Sequence, residues 1–144
     1  MRYPFYLPML FGLALLASHA QASEPQASEP QADEQQASQQ LDSTELYELV
    51  YDQTADCRKE KDQSLCVNYF SPEGNLTQLR DNGKRKTGRW FLDDADRLCI
   101  LWDGKYNPLC FAVTENADGT YKMVRKGKHK STILETAPGN RDKL

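Results

Sequence analysis

The chain has 144 residues, with 21 acidic and 18 basic side chains, a formal net charge of −3 and four cysteines. This length holds one modest domain. The charge balance excludes the strongly basic surface on which nucleic-acid binders depend.

Arg2 precedes an apolar stretch over 5–17 that is interrupted only by Pro8 and Gly12, and small residues follow at Ser18, Ala20 and Ala22. A positive start, an apolar centre and a small-residue exit predict a signal peptide over 1–22, cut after Ala20 or Ala22. The stretch is shorter than the roughly 20 apolar residues of a spanning helix. No later segment is apolar enough to span either, so no membrane span is expected in the mature form. No cysteine stands near the cleavage point, so lipidation is not expected. The next residues repeat QASEP twice and then continue as QADEQ and QASQQ, without an aromatic or branched aliphatic residue up to Gln40. Such a segment cannot bury enough apolar surface to offset the ordering of its backbone. It predicts a flexible linker over 23–41, ahead of one domain over 42–140 and a flexible tail over 141–144. Residues 41–144 carry 17 acidic and 17 basic side chains, so the net negative charge lies largely in the linker.

A short helix should open the domain. Asp42 suits its N-cap, Glu45 has capping-box spacing, and Leu46, Leu49 and Val50 form an apolar stripe at helical spacing. Short strands follow, separated by turn signals: 65–70, 76–80, 87–92, 97–102, 108–114, 120–125 and 131–135. The Asn82-Gly83 turn is the strongest hairpin signal among them. The expected fold is mainly β: a small antiparallel meander barrel, or a curled sheet, of about seven strands with one short N-terminal helix. Alternation assigns Trp90, Leu98, Ile100, Trp102, Phe111 and Val113 to its core.

Cys57, Cys66, Cys99 and Cys110 all lie in the exported part. Four cysteines in an oxidising compartment read as two disulfides, with three connectivities open. The spacings of nine and eleven residues do not suit the short clips of structural zinc sites. A hairpin of 97–102 with 108–114 narrows the choice. If Trp102 faces Asn107, Cys99 falls opposite Cys110 at the separation of directly opposed side chains, near the range a disulfide needs. Cys57–Cys66 follows by elimination.

The search for chemistry is mostly negative. His19 leaves with the signal peptide. His129 sits among Lys126, Lys128 and Lys130, where positive neighbours disfavour its protonation. Paired cysteines leave no thiol nucleophile, and no GxSxG, HExxH or phosphate-cradling loop occurs. Asp93, Asp94 and Asp96 lack the order and the distal Glu of a calcium loop, and read as a solvated turn. Asn75-Leu76-Thr77 is a formal glycosylation sequon, and the terminal Arg141-Asp142-Lys143-Leu144 resembles a retention tetrapeptide only loosely. No catalytic residue, metal or cofactor is expected. Two basic hairpins supply Lys84, Arg85, Lys86 and Arg89, and Lys122, Arg125, Lys126, Lys128 and Lys130. If the sheet curls, both could lie at one end as an anion-attracting patch; the bland alternative is that lysines blunt exposed sheet edges.

Gly88-x-Trp90, Leu98-Cys99-Ile100-Leu101-Trp102, Cys110-Phe111, the Gly119 turn before Tyr121 and the late Pro138-Gly139-Asn140 resemble a pattern of small exported bacterial proteins of unknown function. In that pattern a helix precedes the strands, as Glu45-Leu46-Tyr47-Glu48-Leu49 does here. The resemblance covers most of 44–140 through short, structural motifs and does not extend to Cys57 and Cys66. It implies a periplasmic or secreted β domain and carries over no catalytic residues. The resulting expectation is a non-enzymatic, monomeric binding or accessory module acting on an envelope protein or a small ligand. An inhibitor of an envelope-active enzyme such as a lysozyme, and a lipocalin-like carrier, are the alternatives.

Overall fold

The computed structural model describes residues 39–144; the expected signal peptide and nearly all of the expected linker lie outside the described residues. Helix α1 (Ser43–Val50) precedes strands β1 (Gln53–Lys59), β2 (Leu65–Phe70), β3 (Asn75–Arg80), β4 (Arg85–Asp93), β5 (Arg97–Trp102), β6 (Leu109–Glu115), β7 (Tyr121–Arg125) and β8 (Lys128–Pro138). Each strand pairs antiparallel with the next, and β1 closes on β8, giving an up-and-down barrel without free edges. The strand that sequence reading does not supply is β1. Its sequence, QTADCRK, offers only Ala55 and Cys57 as buried apolar residues and otherwise reads as a polar loop.

The hairpin register is the expected one: Leu98 faces Phe111, Cys99 faces Cys110 and Ile100 faces Leu109. Cys57 and Cys66 are likewise directly opposed across β1 and β2. Both bridges form, with Cα separations of 4.9 Å for Cys57–Cys66 and 3.9 Å for Cys99–Cys110. Two disulfides are consistent with an oxidising compartment outside the cytosol. Among the described residues, no helix is long and apolar enough to cross a membrane.

In a barrel of this topology, alternate connections fall at alternate ends. One end is sealed by α1. The helix starts on a capping box, in which the Glu45 N–H donates to Asp42 and the Asp42 N–H donates to Glu45, both at 2.9 Å. Its stripe, Leu46, Leu49 and Val50, is buried in one cluster with Phe70, Leu76, Trp90, Leu98 and Val113. Trp90 stands edge-on to Phe70, with ring centroids 6.0 Å apart, and donates its indole N–H to the Ser71 carbonyl at 3.0 Å. The Asp96 carboxylate accepts from the Ser43 N–H at 3.0 Å, tying the helix start to the β4–β5 turn. Leu41 is buried and donates its N–H to the Val113 carbonyl at 2.8 Å, so the packed domain begins before Asp42. Arg141 grips Asp56 through both terminal nitrogens, at 2.9 and 2.7 Å, so the start of the expected tail is held against β1.

Gly88 explains the Gly-x-Trp motif. It stands inward between Lys86 and Trp90 and faces Trp102 across the β4–β5 ladder. A Cβ there would lie 2.5 Å from the Leu101 carbonyl oxygen and 2.9 Å from the Trp102 Cα. Only glycine lets the two strands approach so closely.

Candidate functional site: the open cationic mouth

The barrel interior changes character along its axis. Towards the end opposite α1, the inward positions of β1, β2 and β3 become Cys57 and Lys59, Cys66 and Asn68, and Gln78 and Arg80. A cavity of about 260 Å³ occupies this half. One wall is apolar, formed by Ile100 and Trp102 of β5, Leu109 and Phe111 of β6 and Met123 of β7. The facing wall carries Asn68, Gln78 and Ser131. Its buried amides are ordered as a ladder: Gln78 Nε2 donates to Asn68 Oδ1 at 2.8 Å, and Asn68 Nδ2 donates to Cys57 Sγ at 3.2 Å. Polar groups inside a barrel are tolerable when they satisfy one another in this way.

Four cations line the opening: Lys59 of β1, Arg80 of β3, Lys86 of β4 and Lys130 of β8. Among the described residues, none of them has a carboxylate within ion-pair distance. Lys86 Nζ lies 4.4 Å from the centre of the Trp102 ring, a cation–π contact at the boundary of the two walls. Burial pushes the Lys86 ammonium below the ordinary lysine range, and the charges of Arg80 and Lys105 push it further. Lys59 is lowered for the same reasons, burial first and then Arg80 and Lys86, with Asp62 and Asp81 pulling it back. Positive charge is therefore concentrated here at a cost, and an entering anion would relieve it.

Turn chemistry delivers these residues. Gly83, at φ 77°, sits in the turn after Arg80, and Lys126 and Gly127, at φ 52° and 69°, form a two-residue turn of the primed type. Both basic hairpins thus end at the open mouth, as barrel topology requires. The nine expected basic residues nevertheless divide, and Lys122, near the start of β7 opposite Thr114 and Thr132, stands apart from the mouth. Lys86 and Lys130 line the cavity. Lys84, Arg85 and Lys128 are exposed at the same end. Arg125 and Lys126 line a separate groove of about 390 Å³ on the outer wall, with Arg97 and Cys110. Arg89 points outward, opposite Asn75 and Leu101. Lys59 and Arg80 are absent from the sequence reading, although period-2 spacing from Cys57 and Gln78 places both inward. Trp102, expected in the core, is only partly buried and belongs to the cavity wall; the other five expected core residues are buried.

Elsewhere, chemistry-bearing side chains serve the fold. Asp93 accepts from the backbone N–H groups of Ala95 and Arg97 and pairs with the Arg97 guanidinium, which holds its carboxyl below the usual range. His129 is not surrounded by positive charge alone: its Nε2 lies 3.5 Å from Glu60 and 2.9 Å from the Thr132 hydroxyl. Thr132 donates to Glu60 at 2.7 Å, so its hydroxyl oxygen meets the His129 Nε2 as an acceptor. Asp93, Cys99 and Cys110 lie close together, but the two sulfurs are bonded to each other and are not thiolate ligands. No protein-family model matches this chain, and neither does any curated protein or solved structure.

Proposed function

We propose that this chain is a non-enzymatic binding or accessory module, exported by its N-terminal leader to the periplasm or the exterior, that captures an anionic group in the mouth of its barrel. The single observation that carries the reading is the pairing of a cavity with four cations that have no carboxylate partners among the described residues. Charge concentrated in a concave, partly desolvated site attracts counter-ions more strongly than the same charge on a flat surface. The two disulfides support export. Titration of the purified protein with inorganic phosphate at low salt, followed by amide NMR, tests the capture. Shifts confined to the residues around Arg80 and Lys86, and lost on raising the salt, are expected. No response to phosphate, nor to small carboxylates titrated in the same way, would refute it.

One observation favours a second reading, inhibition of an envelope-active enzyme such as a lysozyme. Tyr106, on the β5–β6 connection at the mouth end, is 97 % exposed, and tyrosine is a common anchor of protein interfaces. Full activity of cell-wall hydrolases in the presence of excess protein would eliminate this reading.

A further inference from the structure

The cavity has two chemically distinct walls, and together they select a ligand. Phosphate, or the carboxylate of an acidic side chain, would use only the cationic rim. It would leave the surface of Trp102, Leu109 and Phe111 facing water. A neutral apolar molecule would cover that wall and leave Arg80 and Lys86 without a counter-ion. We propose that the mouth binds a small free amphipathic monoanion, with its carboxylate against Arg80 and Lys86 and its apolar body against Trp102 and Leu109. This inference rests on the reading of the mouth as an anion site and adds the class of ligand.

Size and charge both argue for it. At about 260 Å³ the cavity lies below the range that holds drug-sized ligands. It suits a body of roughly ten to fifteen non-hydrogen atoms. Lys86 is held over the face of Trp102, which brings a cation to the junction of the walls, where the head and body of one molecule would meet. Asn68 and Gln78 occupy each other through their own hydrogen bond. The deep end of the polar wall is therefore already satisfied, and the uncompensated charge stands nearer the rim. The other end of the barrel is filled by Leu46, Phe70 and Trp90, so a long chain cannot thread through it.

Four probes separate the possibilities: octanoate, acetate, octan-1-ol and inorganic phosphate, each titrated by calorimetry and by the NMR signals of the tryptophan indoles. Octanoate should bind at least tenfold more tightly than acetate or phosphate, and more tightly than octanol. Lys86→Gln should weaken octanoate at least tenfold and leave octanol unchanged. Leu109→Trp, which fills the apolar wall, should weaken octanoate and spare acetate. Lys130→Gln at the exposed rim repeats the charge test if Lys86→Gln fails to fold. Equal binding of acetate and octanoate would overturn the amphipathic ligand while sustaining the anion site. It would also be the outcome if the occupant is an acidic side chain of a protein. Octanol binding as well as octanoate would overturn the role of the charges. No response to acetate, phosphate or octanoate would overturn the anion site itself.

Discussion

The two ends of this barrel are made by the same eight strands but obey different rules. At the end covered by α1, the inward positions hold Phe70, Leu76, Trp90, Leu98 and Val113, and the helix adds Leu46, Leu49 and Val50. The Trp90 indole N–H, a polar function inside this end, is satisfied by Ser71. At the other end the strands continue inward as Cys66, Asn68, Gln78, Arg80 and Lys86, and the lysines are charged at a cost. A protein that needed only stability would fill both ends alike. The contrast teaches that the sealed end carries the fold, whereas the open end gives up stability for exposed chemistry, as binding sites commonly do.

That contrast can be broken by substitution. Leu46→Ala, at a fully buried position under the seal, should cost about 3 kcal/mol. The melting temperature should then fall by ten degrees or more, read by calorimetry. A loss below about 1 kcal/mol would mean that α1 is not the seal described here. Joint replacement of Cys99 and Cys110 by serine removes the clasp of the β5–β6 hairpin. It should cost about 3 kcal/mol, measured by denaturant unfolding. At the open end the sign should differ. Lys86→Met keeps an apolar side chain of similar length beside Trp102 and removes the ammonium over its ring, a charge repelled by Arg80 and Lys105. It should leave stability unchanged, or raise it by about 0.5 kcal/mol. A marked destabilisation would show that the mouth cations serve the fold.

The pH dependence sharpens the same comparison. Lys59 and Lys86 have folded-state pKa values below their unfolded values. The unfolded chain therefore binds more protons between the two, and stability should rise with pH as the lysine range is approached. A bound anion holds these groups protonated, so its affinity should fall over that window. Glu60 gives the same sign of slope in a lower pH window, but there it is the charged form that the fold favours. The Thr132 hydroxyl, ahead of His129, holds its carboxyl below the ordinary glutamate range. Its contribution is present above the unfolded value and is lost as pH falls through the folded one. Glu60→Gln should thus flatten acid unfolding slightly, the smallest of these effects.

The sealed end was readable from the amino acids, and the open end less so. Leu98 and Val113 fall in clean period-2 alternation with Ile100 and Phe111, which carry the same phase on into the apolar wall of the mouth, and the opposition of Cys99 to Cys110 fixes the β5–β6 register without a structure. The capping residues Asp42 and Glu45 announce α1 equally well. By contrast, Lys59 and Arg80 abut turns, where charge normally marks solvent, and nothing local tells an inward lysine from an outward one. β1 was invisible because a strand that completes a barrel around a disulfide and small residues needs no apolar run of its own. Glu60 and His129 meet only through the pairing of β1 with β8, a contact that neither segment foretells. Trp102 shares the inward phase of Ile100, so its alternation is that of a core residue; only the end of the barrel at which it falls makes it a cavity wall.

The two tryptophans offer the most direct test, because one stands at each end. Trp90 is buried under the seal with its indole N–H bound to Ser71, and Trp102 lines the mouth beneath Lys86. In an NMR titration of the purified protein with octanoate, the Trp102 indole resonance should move with saturating behaviour, while that of Trp90 stays in place. Movement of Trp90, or a Trp102 signal indifferent to the ligand, would contradict the division of the barrel into a sealed end and a binding mouth.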